Sequence, residues 1–129
     1  MNEYLMLFRN ETRENSEPPT PEQIQTSVKQ WQSWIGSIAA QGKYSGTNRL
    51  MTEGKTIKSD KVITDGPFIE AKEVVGGYLI VKANTIDEAV EMAKSCPGLH
   101  YGGSVEVRGV MAIEYDSNSK NFLQPVNES

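Results

Sequence analysis

Residues 4–8, Tyr4-Leu5-Met6-Leu7-Phe8, and residues 78–81, Tyr78-Leu79-Ile80-Val81, are apolar at every position. Side chains alternate across an extended chain, so such strands have no face suited to water and want cover on both sides. Two helices supply one cover. Thr20-Pro21-Glu22-Gln23 places Thr at the cap, Pro at the first helical position and Gln at the third, the pattern of a capping box. Ile24, Val28, Trp31, Ile35 and Ile38 then recur at steps of four and three as one apolar stripe, and Gly42 supplies the stop. Trp31 is expected to face the core, with Trp34 beside it at the core edge or an interface. Thr85-Ile86-Asp87-Glu88 is a second capping box, opening a helix whose apolar face is Ile86, Ala89, Val90 and Ala93 and which Pro97-Gly98 ends.

The remaining segments complete a sheet. Residues 47–51 and 56–58 read as short strands around Glu53-Gly54-Lys55, and residues 61–64 as another. A long strand is expected over 77–82, and the last strand or pair of strands over 104–113. Strand, helix, strands, strand, helix, strand is the split βαβ plan of a ferredoxin-like α+β sheet with helices on one face. The second face is then left apolar and open, and a second copy of the chain is its simplest cover. Residues 1–115 form the expected domain. Residues 116–129 read as a mostly polar tail, with Phe122, Leu123 and Val126 as candidate anchors.

At 129 residues the chain suits one domain, burying about two-thirds of its unfolded surface without help from a metal or disulfide. A net charge of -4 with scattered basic residues argues against direct nucleic-acid binding and points to small molecules or proteins as partners. One cysteine, Cys96, precludes an internal disulfide, and no leader or long apolar run is present, so the expected location is the cytoplasm and not a membrane. His100 and Cys96, single residues of their types, lack the spaced partners of a metal site. The pairs Gly76-Gly77 and Gly102-Gly103 lack phosphate-loop or dinucleotide spacing, and no cofactor is expected.

Asp65-Gly66-Pro67 is a turn with a mechanism: glycine opens backbone angles, proline fixes its own φ, and the Asp can bond neighbouring amides. By itself it is an ordinary turn. Continued by Phe68-Ile69-Glu70-Ala71-Lys72-Glu73 and then Gly76-Gly77, it resembles the signature of the YCII-related (DGPF) family, Asp-Gly-Pro-Phe-Ala-Glu-Thr-Lys-Glu. Ile69 and Ala71 depart from that form, and Ala71 lacks a hydroxyl. Ser104-Val105-Glu106-Val107-Arg108-Gly109-Val110 is similar to the family's closing segment, with Gly109 in place of a proline. The resemblance implies a dimeric α/β barrel, two such sheets meeting across a two-fold axis. It also implies a histidine early in the first helix acting with an Asp; counting back from Gly42, that position holds Trp31.

In a ferredoxin-like topology Asp65, Arg9 and His100 fall at one end of the sheet. An Asp neighbour would orient His100 as a general acid or base, while the loop 99–103 could equally just expose it. Glu106 and Arg108 share a strand face, either lining a polar cavity that takes an anionic or amide group, or forming a structural ion pair. Tyr78 reads as core. Three functions are open to such a chain: a homodimer with a small-molecule-binding cleft using Arg108, Glu106 and Arg9; a cofactor-free enzyme using Asp65 with His100 or Arg108; and, from the resemblance, a protein partner in transcription regulation linked to sigma-type initiation factors.

Overall fold

A computed structural model of the protein describes residues 1–11, 19–51, 53–65, 73–114 and 124–125. Gly66, Pro67 and the rest of the signature turn to Lys72 lie outside the described residues, as do Phe122, Leu123 and Val126. The elements run β1 (Asn2–Glu11), α1 (Pro21–Ala40), β2 (Tyr44–Arg49), β3 (Lys55–Ile57), β4 (Ile63–Asp65), β5 (Glu73–Ala83), α2 (Ile86–Ala93), a 3-10 turn (Pro97–Tyr101), β6 (Ser104–Gly109), β7 (Ile113–Glu114) and β8 (Gln124–Pro125). β2, β5, β1 and β6 form one sheet in that order, every pair antiparallel. β1 and β2 are separated by β5, which is the split βαβ arrangement of the ferredoxin-like plan. β3 and β4 form their own hairpin, and β7, at the end of the expected domain, pairs with β8, which lies in the segment expected as a tail.

The predicted start of α1 forms as a complete capping box: Thr20 Oγ1 accepts from the Gln23 amide and Gln23 Oε1 accepts from the Thr20 amide. Gly42, at φ 71°, ends the helix in a conformation that costs other residues a Cβ clash. The buried stripe differs from the expected one. Trp34 and Ile38 are buried, Trp31 and Ile35 half-buried, and Ile24 and Val28 are nearly half exposed, because the first half of α1 stands clear of the described core. Trp34 is thus core, where it donates through Nε1 to the Met92 carbonyl at 3.0 Å and meets Phe8 and Trp31 edge-on.

On α2, Ala89 and Ala93 are buried whereas Ile86 and Val90 are exposed, so small side chains make the inward face. Thr85 accepts from the Glu88 amide, but Glu88 turns to the Asn84 amide and to Lys43 Nζ at 2.7 Å, not to the Thr85 amide of a full box. That ion pair joins the chain after α1 to the first turn of α2.

Tyr4 and Met6 of β1, Leu79, Val81 and Ala83 of β5, and Cys96 complete the core, with Phe8, Val105 and Val107 packed against it. A Gly76 bulge shifts the β1–β5 register between Phe8 and Arg9. At Gly77 a Cβ would sit 2.9 Å from the Asn48 carbonyl, so the close approach of β2 to β5 needs glycine there.

Candidate functional site

Since Met6, Phe8, Leu79, Val81, Val105 and Val107 point to the helices, the alternate side chains Leu5, Leu7, Tyr78, Ile80, Glu106 and Arg108 occupy the opposite sheet face. No described helix packs on that face. Register orders it into two rows. Across the sheet, Arg108, Leu5, Ile80 and Gly46 stand opposite one another, and beside them Glu106, Leu7, Tyr78 and Asn48. The centre is half-buried apolar surface and the two ends are polar.

Arg9 continues this face along β1, and its Nη2 lies 3.6 Å from Glu106 Oε1. Both groups are about a third exposed or more, so the pair adds at most ~1 kcal/mol to folding. Its local consequence is larger, because Arg9 neutralises the carboxylate two residues from Arg108. Arg108 is exposed, and its guanidinium has no hydrogen-bond or ion-pair partner among the described residues. At the other end, Asn48 Nδ2 donates to the Tyr78 hydroxyl oxygen at 2.7 Å. Tyr78, expected in the core, therefore belongs to this polar rim. Strand alternation already separated it from Leu79 and Val81; what the sequence did not show was its Asn48 partner on β2.

His100 is placed elsewhere. It sits exposed in the 3-10 turn and lines a groove of about 560 Å³ with Lys29, Ser33 and Trp34 of α1 and with Ser95 and Pro97. Tyr101 fixes that turn to α1 by donating to Gln30 Oε1 at 2.9 Å. The groove is on the helix-covered side of the sheet, so His100 and Arg108 occupy opposite sides. Asp65 ends β4 opposite Lys55, and its side chain lies outside the described residues. Trp31, at the position where the resemblance implies a histidine, is an aromatic anchor whose ring centroid lies 4.9 Å from that of Phe8.

Cys96 is buried, and desolvation pushes its thiol above the ordinary value, which keeps it a neutral packing group and not a nucleophile. Among the described residues no cluster of three or more His, Cys, Asp or Glu could hold a metal ion. No described helix is long and apolar enough to cross a membrane. The site's chemistry is therefore that of an apolar floor with one uncompensated guanidinium, a neutralised carboxylate and an oriented phenol. No curated protein matches the chain. The family model described as the YCII-related domain matches residues 4–114, which takes in the main sheet from the third residue of β1 onward and both α-helices.

Proposed function

The chain belongs to the YCII-related domain family, and from that premise we propose that it works as a cytoplasmic homodimer that binds a small molecule in a cleft between two copies of its open sheet face. One observation carries this reading: Leu5, Leu7, Tyr78 and Ile80 form an apolar surface with no described element over it, bordered by Arg9, Glu106 and Arg108. Contiguous apolar surface of this kind marks a binding or association face, and polar side chains at its edge give a ligand orientation. Two such faces meeting about a two-fold axis would close over each other and enclose a cleft, with the apolar side chains as its floor and the charged ones at its border, as in a dimeric α/β barrel.

Binding is favoured over acid–base catalysis because the one histidine of the chain sits beside α1, away from Arg108. The test is a thermal-shift screen of a metabolite library on the wild type, Asp65→Asn, His100→Gln and Arg108→Met, since a ligand that binds only the folded state stabilises it by mass action. Hits are expected to survive His100→Gln and Asp65→Asn and to disappear in Arg108→Met. Hits unchanged in Arg108→Met would reject the cleft. Turnover of a hit that Asp65→Asn abolishes while binding persists would make the protein an enzyme instead.

A further inference from the structure

Taking that binding cleft as given, we infer the class of its ligand: an apolar monocarboxylate that carries a second, uncharged acceptor oxygen at the far end of its body, with Arg108 holding the carboxylate and Tyr78 donating to the acceptor. The Arg108 end is set by the partner it lacks among the described residues and the Tyr78 end by the one it already has.

Five charged side chains share the face by strand alternation: Glu3 and Lys82 stand opposite each other, with Glu3 also accepting from Ser45 Oγ, and Arg9 meets Glu106 at 3.6 Å, which leaves the Arg108 guanidinium without a partner among the described residues. An exposed guanidinium with a planar fork of donors beside an apolar floor suits a carboxylate, which it can bind through two parallel hydrogen bonds. Glu106 would repel such a ligand were its charge not met by Arg9. Arg9 is then a positioning residue that acts through Glu106.

At the other end, the Tyr78 oxygen accepts from Asn48 Nδ2 at 2.7 Å. A phenol oxygen already accepting from an amide has its own O–H left to give, and Tyr78 stands on the open face where a ligand would lie. The phenol therefore asks for an acceptor oxygen, and since its row holds Asn48, Leu7 and Glu106 but no cation, an uncharged carbonyl or ether suits the place better than a second carboxylate.

Between them lie Leu5, Leu7 and Ile80, with Gly46 contributing no side chain at the β2 end of its row. Arg108 and Tyr78 are two strands and one row apart, which for strands ~4.8 Å apart and a rise of ~3.3 Å per residue sets their Cα atoms about 12 Å apart. After the reach of the two side chains, the space suits a single ring or a short acyl chain. A dicarboxylate would bring a second charge onto the apolar floor with no cation in the Tyr78 row to offset its lost hydration, and is disfavoured.

A matched series tests this on the full-length protein by calorimetric or NMR titration: 4-acetylbenzoate, 4-ethylbenzoate without the acceptor, 4-methylacetophenone without the carboxylate, and terephthalate with a second charge. The wild type is expected to prefer 4-acetylbenzoate to each of the others by about tenfold, the worth of one good hydrogen bond or ion pair. Tyr78→Phe should erase only its advantage over 4-ethylbenzoate. Arg108→Met should weaken both monoacids and leave the ketone unchanged. Arg9→Met should weaken the acids, and Arg9→Met with Glu106→Gln should restore them, a rescue that loss of structure would not give. Equal binding of acid and ketone by the wild type, no binding of 4-acetylbenzoate at millimolar concentration, or acid binding indifferent to Arg108→Met would each overturn the inference. A protein that is monomeric by light scattering yet shows this selectivity would refute the dimer cleft and uphold the ligand class; a dimer without the selectivity would do the reverse.

Discussion

Gly76 and Gly77 are neighbours in sequence with different obligations. A Cβ on Gly77 meets the Asn48 backbone carbonyl at 2.9 Å, whereas one on Gly76 meets Asn10 Nδ2 at 2.8 Å, the free end of an exposed side chain that can swing aside. Gly77→Ala is therefore expected to cost about 1–3 kcal/mol and Gly76→Ala less than about 1 kcal/mol, read from denaturant midpoints. Equal losses would show that the β2–β5 approach is not what fixes glycine at 77. Glu88 offers a second test at the same scale. Hydrogen bonding and proximity to Lys43 hold its carboxyl below the ordinary value, so the pair's stabilisation is present above the unfolded-state pKa and is lost as pH falls through the lower folded-state one. The stability gap between wild type and Lys43→Met should accordingly close on going from about pH 5 to about pH 3. A gap unchanged across that range would remove the pair from the account. The glycine pair was visible in the sequence as part of the signature ahead of an apolar strand, but its cause was not, because the Asn48 carbonyl comes from a strand some thirty residues away.

Among the elements, α1 separates what periodicity shows from what it hides. Its start and stop were legible, since Thr20, Pro21, Gln23 and Gly42 act on the backbone within one turn. Its buried face was legible only in the second half. Helical spacing identifies an apolar stripe, yet which part of the stripe meets the sheet depends on how far the helix overhangs, and that is set by tertiary packing. Ile38→Ala should cost about 2–5 kcal/mol, as large-to-small changes in a packed core do. Val28→Ala should fall within about 0.5 kcal/mol of the wild type, as exposed changes do. A Val28→Ala loss as large as that of Ile38→Ala, measured by chemical unfolding, would mean that the first half of the helix is covered. The strands show the same division. Residues 78–81 announced a strand with two apolar faces, and the structure runs it from Glu73 to Ala83; the assignment of Tyr78 to the core failed because a strand apolar on both sides does not say which side the helices take.

For the whole molecule, the strand order β2-β5-β1-β6 was within reach of the sequence because connection rules leave few ways to join two capped helices to strands in this order. The site was not. Asp65, Arg9, His100, Glu106 and Arg108 share one end or one face of a topology diagram, but a diagram does not tell the two sides of a sheet apart: the structure puts Arg9, Glu106 and Arg108 on the open side and His100 beside α1. The open side is what the functional reading rests on. If it is an association face, placing a charge at its centre should undo the assembly without undoing the fold, because Leu7 is only half-buried in the single chain whereas its neighbour Met6 is fully buried. The direct measurement is the absolute mass in solution, by light scattering at micromolar concentration, of the wild type and of Leu7→Glu, with circular dichroism to confirm folding. The wild type should show twice the chain mass of 14.3 kDa, and a folded Leu7→Glu should show the single-chain mass. A well-folded wild type at 14.3 kDa, or a dimer that Leu7→Glu leaves intact, would contradict the account.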